Sequence, residues 1–250
     1  MAQVAEAYIN LAQADAEASV PDTLYHTLLT VVDYAADPTG SVRTVHPLGT
    51  HADLAAAKAF ALSALSRLGY ARDDFESYAE RGAATNGLPN EDDDGVLVRA
   101  RRTGPHEFLV SLATTPNNEH LPTTPPKKTS NSDGVAGLQL PDGAHLHYVL
   151  QTKTDYHVDR SGAVQTTDVE GVYARRADAL AAARACLLGD EVRRADFAQY
   201  DERGADVADD EWPFGDDVLV HAVAQTGENY RVAVRTVPGS HASHAKKTRQ

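Results

Sequence analysis

Two stretches decide how this chain is built: Leu29 to Gly40, LTVVDYAADPTG, and Gln151 to Gly162, QTKTDYHVDRSG. Each carries Asp-Tyr and then, three residues after the Tyr, a second Asp and a closing Gly. In Asp37-Pro38-Thr39-Gly40 the Asp and Pro open a type I turn, and the Gly supplies the positive φ that follows it. Asp159-Arg160-Ser161-Gly162 reads the same way. Both predict a β-hairpin. Before the first turn, Leu24, Leu28, Val32 and Tyr34 are placed to face one side of a strand. The matching set before the second is Leu146, Tyr148, Leu150 and Tyr156. Ser41 to Leu48 and Ala163 to Val169 are the returning strands.

Asp33 and Asp155 are 122 residues apart, and that offset recurs outward from the turns. It carries Gly49 onto Gly171, Phe75 and Tyr78 onto Phe197 and Tyr200, and Glu80-Arg81-Gly82-Ala83 onto Glu202-Arg203-Gly204-Ala205. It also carries Val96-Leu97-Val98 onto Val218-Leu219-Val220, and Thr114 and Pro116 onto Thr236 and Pro238. A fixed offset held this long is the mark of a tandem repeat.

Between the anchors, Thr50 and Asp53 form a capping pair. Leu54, Ala57, Ala61, Leu65 and Leu68 follow at helical spacing up to Gly69. The second copy has Leu180, Ala183, Leu187 and Leu188, stopped by Gly189. The spacing of Phe75 and Tyr78 predicts a shorter second helix from Asp73 or Asp74 to Gly82, with a twin from Asp196 to Gly204. Gly95 to Arg102 and His106 to Thr114, then Asp217 to Gln225 and Asn229 to Val237, are the last strands of each unit.

The expected fold is therefore α+β, a tandem duplication of a β-β-α-α-β-β unit. Antiparallel sheets carry helices on one face, and the units are related by a pseudo-twofold axis. Residues 24–116 and 144–238 are the two units. Residues 1–23 form an acidic helical segment, 117–143 a flexible Pro/Ser/Thr-rich linker, and 239–250 a disordered tail.

Composition excludes some functions. With 23 Lys and Arg against 36 Asp and Glu, the net charge of −13 repels nucleic acid and anionic lipid. Lys127-Lys128 and the tail pair Lys246-Lys247 sit in segments that read as solvated. No apolar run is long enough to span a membrane, and no secretory leader is evident, so the expectation is a cytoplasmic protein. The single cysteine, Cys186, has no disulfide partner and lies in an apolar helical run.

No phosphate-loop, dinucleotide, zinc or nucleophile-elbow motif is present, so no cofactor or metal is expected. His145, His147, His221 and Asp168 are the sparse exception, and a metal site there is not expected. Asp33-Tyr34 and Asp155-Tyr156 are the best-matched polar pairs. Two such carboxylates meeting near the axis could share a proton, while the plainer role is to end a strand and start a turn. Acidic runs at Glu91 to Asp94, Asp209 to Glu211 and Asp216-Asp217 suit solvated loops or a basic partner. Trp212-Pro213-Phe214, where the first unit has Asn90-Glu91-Asp92, either plugs a local core or forms a binding surface.

The resulting expectation is a non-enzymatic interaction or structural module. It would take a protein partner at Trp212 and Phe214, a basic one suiting the acidic loops, or a second copy as a homodimer. The alternative is a small-molecule-binding protein or enzyme with its site in the cleft between the units. Asp33, Tyr34, Asp155, Tyr156 and His157 would supply the polar lining of that cleft.

Overall fold

The computed structural model describes residues 19–81, 95–123, 135–140, 144–204 and 211–238. Residues 1–18 of the expected N-terminal helical segment, the acidic residues Glu91 to Asp94 and Asp209-Asp210, Lys127-Lys128 and the tail lie outside the described residues, and residues 19–23 lead into the first strand without helix.

The first unit runs β1 (Thr23–Asp33), β2 (Arg43–His51), α1 (Leu54–Arg67), β3 (Phe75–Glu80), β4 (Val96–Arg102) and β5 (His106–Pro116). A two-residue strand, β6 (Val135–Ala136), pairs parallel with the end of β2. The second unit runs β7 (His147–Thr154), β8 (Gln165–Tyr173), α2 (Arg176–Ala185), β9 (Phe197–Glu202), β10 (Val218–Ala224) and β11 (Asn229–Thr236). The five antiparallel strands of the first unit lie in the order β3-β4-β5-β1-β2, and those of the second in the order β8-β7-β11-β10-β9. This is an α+β fold of two similar sheets and two helices.

The registers coincide. His26 pairs with Thr50 and Ala113, and Tyr148 pairs with Val172 and Arg235. Irregularities fall at matching places too, between Thr27 and Leu28 and between Val149 and Leu150.

The second helix of each expected unit is not there. Asp73-Asp74 and Asp196 belong to single 3-10 turns, Arg72–Asp74 and Arg194–Asp196, and the residues after them are the edge strands β3 and β9. The physical reason is a bulge. In β3 the register slips between Phe75 and Ser77, so two residues oppose one, and Phe75 and Tyr78 pack on the same side with their rings 5.5 Å apart. A bulge of this kind turns the strand period of two into a local spacing of three, which imitates a helix. Phe197 and Tyr200 repeat the arrangement at 5.4 Å. Each unit is therefore β-β-α-β-β-β.

The α1 cap also differs from expectation. Asp53 alone caps the helix, its Oδ1 accepting from Ala56 N at 2.8 Å. Thr50 belongs to β2, and its hydroxyl is engaged elsewhere.

Three apolar clusters hold the layers together. Ala61, Ala64 and Leu65 of α1 pack on Leu29, Val98, Phe108 and Val110 of the first sheet. Ala179 and Ala183 of α2 pack on Val149, Val220 and Val232 of the second. Small residues on both helices let each approach its sheet closely. The third cluster lies between the sheets, with Leu24 and Leu28 from β1 against Tyr148, Leu150 and Val169. Each leucine so buried contributes about 1.5–3 kcal/mol. Both sheets are thus covered on two faces, which is why β1 is apolar on both sides.

The expected linker supplies part of this third cluster, since Leu121 and Leu138 are both buried in it. Asn117 fixes the first of them, its Oδ1 accepting from Leu121 N at 2.9 Å and its Nδ2 donating to Pro21 O at 2.9 Å. No helix among the described residues is long and apolar enough to cross a membrane.

Candidate functional site

The Asp-Tyr pairs are built into turns. Asp33 Oδ1 accepts from Ala35 N at 2.9 Å and Ala36 N at 3.2 Å. Asp155 Oδ1 accepts from His157 N at 3.0 Å and Val158 N at 3.2 Å. These are Asx turns, in which a carboxylate satisfies backbone donors that the ending strand leaves free. Tyr34 and Tyr156 lie across the closing glycines. A Cβ at Gly40 would sit 2.8 Å from Tyr34 Cε1, and one at Gly162 2.9 Å from Tyr156 Cε1. The Tyr34 hydroxyl donates to Glu107 Oε2 at 3.0 Å, and partial burial and that carboxylate hold its pKa above the usual value. His157 is exposed, with its ring edge against the Gly227 turn.

Trp212 and Phe214 are half-buried and interlock. Their rings meet edge-on at 4.9 Å, and Phe214 stacks on His221 at 3.9 Å and 8°. His221 faces Asp201 Oδ2 and Asn229 Oδ1, both at 3.3 Å. Trp212 Nε1 is buried with no hydrogen-bond partner among the described residues. No set of three metal-ligating side chains is grouped among the described residues. Burial pushes the Cys186 thiol up to about 12, which makes it a poor nucleophile.

Where the sheets meet, a buried polar relay crosses between the units. His26 Nδ1 lies 2.9 Å from Thr50 Oγ1, His26 Nε2 lies 2.8 Å from Thr115 Oγ1, and Thr50 Oγ1 lies 2.7 Å from Tyr148 OH. In one self-consistent order Tyr148 donates to Thr50, Thr50 to His26, and His26 to Thr115. Burial drives the His26 pKa from 6.5 to about 3, so the ring is neutral. Burial also drives the Tyr148 phenol far upward.

Beside this relay a cavity of about 1150 Å³ opens between the sheets. Its walls come from β1, β2, β4 and β5 on one side and from β7, β8 and β11 on the other. Four arginines line it, Arg43, Arg99, Arg231 and Arg235, against two carboxylates, Asp168 and Asp217. Arg235 pairs with Asp217 and donates to Val45 O across the units. Arg99 meets Glu107 at 3.2 Å. Arg43 Nε donates to Gly40 O at 2.8 Å, and Arg231 makes no ion pair among the described residues. The lining reaches the surface at the exposed Arg99, Thr166 and Asp168.

Of the residues singled out from the sequence, Phe214, Asp168 and Asp217 line this cavity. Asp33, Tyr34, Asp155, Tyr156 and His157 stay in their turns, and Trp212 lies behind Phe214. The arginines and the His26 relay were missed. Their signal was present, because in Arg231-Val232-Ala233-Val234-Arg235 the two valines share one face and the two arginines the other, and a strand that buries its valines under a helix must aim those arginines at the other sheet. His26, set among apolar residues opposite Tyr148 at the same offset, was the second clue. No protein-family model matches this sequence, and no curated protein and no solved structure matches it either.

Proposed function

We propose that this chain is a duplicated module whose two copies face each other about a pseudo-twofold axis and bind a small anionic molecule in the cavity between them. The duplication is supported by twin residues that do twin jobs. Gln165 Nε2 donates to Gly162 O at 2.7 Å as Arg43 Nε does to Gly40 O. His26 and Tyr148, one offset apart, meet edge-on at 5.9 Å. Reciprocal contacts of β5 with β8 and of β11 with β2 fit a twofold relation.

The observation that carries the ligand reading is charge placed against the trend of the whole chain. A protein with a net charge of −13 lines the cavity between its sheets with four guanidinium groups. At physiological salt, charges beyond about 8 Å are largely screened, so the remote acidic surface weighs little inside. A guanidinium at about 4 Å from an anion contributes roughly 4 kcal/mol at an effective dielectric of about 20. Local charge therefore dominates. The protein-partner reading has less support, since Trp212 and Phe214 are already occupied with each other and with His221.

Thermal unfolding in the presence of phosphate, citrate and straight-chain carboxylates tests this. A ligand present at about 100 times its Kd stabilises the fold by about 2.7 kcal/mol. For a chain of this size that raises Tm by roughly 5–10 °C. The shift should vanish in the Arg43→Gln/Arg231→Leu double variant. No shift with any anion, or the same shift in the double variant, overturns the proposal.

A further inference from the structure

The cavity is twofold in shape but one-sided in charge, and this deepens the anion-binding reading on which it rests. Three of the four arginines come from two strands that touch each other, Arg43 from β2 and Arg231 and Arg235 from β11. Their twins on the equally touching strands β8 and β5 are Gln165, Leu109 and Ala113, which line the same cavity without charge. Asp217 offsets one of the three arginines, leaving that wall doubly positive. On the opposite wall Arg99 is matched by Glu107, and Asp168 adds an exposed negative charge. Leu28 and Leu150, both buried, lie between the two walls.

From this arrangement we infer that the ligand is a one-ended anion. A single carboxylate- or phosphate-type group sits on the β2–β11 wall, and an uncharged, largely apolar body lies along Leu28, Leu150 and Leu109. Arginine suits the charged end because its planar fork holds two oxygens at once. The far wall discriminates by what it lacks. A second anionic group placed there meets leucine and Asp168 in a confined space, and rejecting it requires no further residue. One molecule is bound per chain, since only one wall carries the guanidinium cluster.

The test is isothermal titration of the full chain with octanoate, octanedioate and acetate, which separate body from charge. Octanoate should bind at one per chain and at least tenfold more tightly than either of the others. Arg231→Leu, which installs the twin residue, should weaken octanoate at least tenfold while the ligand-free Tm stays within a few degrees. Leu109→Arg should raise octanedioate affinity towards that of octanoate. If octanedioate binds the unaltered chain as tightly as octanoate, the one-ended inference fails and the anion-binding reading stands. If acetate matches octanoate, the apolar body is refuted in the same way. If neither these three nor inorganic phosphate binds, both readings fall.

Discussion

Where the first unit carries His26, the second carries Tyr148, and the two side chains meet between the sheets. Around His26 stand Thr50 and Thr115, and the twin positions around Tyr148 are Val172 and Val237. One backbone, in one register, thus holds a hydrogen-bonded imidazole in the first unit and a phenol among valines in the second. Two similar sheets packed face to face need the residues that meet between them to fit each other, and identical residues are only one way to do so. Here a ring with two polar edges receives two hydroxyls from its own sheet, and the tyrosine shares one of them. The difference locates the polar cost of the interface in the first unit and leaves the second to supply apolar area.

Giving the first unit the side chains of the second is the strongest way to break this contrast. Thr50→Val/Thr115→Val leaves both nitrogens of a ring that is 0% exposed, and the buried Tyr148 hydroxyl, without these partners. Each orphaned group costs about 1–3 kcal/mol, so the double variant should lose about 4 kcal/mol. Urea unfolding at neutral pH reads this as a lower midpoint at unchanged slope. A loss below about 1 kcal/mol would mean the relay contributes little, and the units would then differ in sequence without differing in energetics.

Acid should act through the same asymmetry. The His26 imidazole titrates at about 3 in the fold against 6.5 in the unfolded chain. Its neutral form is therefore favoured by folding. The contribution is complete above pH 6.5 and is lost as pH falls from 6.5 towards 3. At pH 5 the loss from His26 alone is about 2 kcal/mol. His51, nearly fully buried on the helix side of the same sheet and titrating at about 4, adds to it. His26→Gln should remove about 1.4 kcal/mol per pH unit from the slope of stability between pH 6 and pH 5. An unchanged slope would place the acid sensitivity outside the relay.

The turns make the opposite case, because there the units agree. Gly40 and Gly162 both have positive φ, at 77° and 78°, and both lie under a tyrosine ring. Gly40→Ala and Gly162→Ala each force a left-handed alanine and displace the ring, and each should cost about 2 kcal/mol. Similar losses at the two sites sharpen the likeness of the units. Losses that differ by more than about 1 kcal/mol would break it.

These turns were also the most legible part of the sequence. Asp, Pro and Gly act through their own backbone preferences, so a dozen residues suffice to read a hairpin. The α1 period was legible from its local apolar spacing, and that of α2 only in part, since the helix ends at Ala185, leaves Leu187 and Leu188 beyond it, and buries Ala179 with Ala183. Strands β3 and β9 were not, because a bulge moved Phe75 and Tyr78 onto one face at helical spacing. Thr50 looked like a helix cap because nothing local reveals that its hydroxyl faces Tyr148 from the other unit. The cavity was hidden for the same reason. Its arginines belong to strands more than a hundred residues apart, and only the stacking of the two sheets brings them together.

The smallest predicted effect separates what joins the units from what merely decorates their junction. Tyr148→Phe removes the hydroxyl that crosses from the second unit to Thr50 and keeps the ring that packs with Leu24 and Leu146. Thr50 keeps His26 as a partner, so no buried atom is orphaned, and the loss should be that of one exchanged hydrogen bond, about 1 kcal/mol. If area holds the sheets together, this variant stays close to the parent in urea, while Thr50→Val falls well below it. If Tyr148→Phe instead costs 3 kcal/mol or more, the crossing bond outweighs its own area. The junction would then depend on a polar contact that the two units make only once. Combining Tyr148→Phe with Thr50→Val decides between these, since the two losses overlap only to the extent that the bond itself is shared.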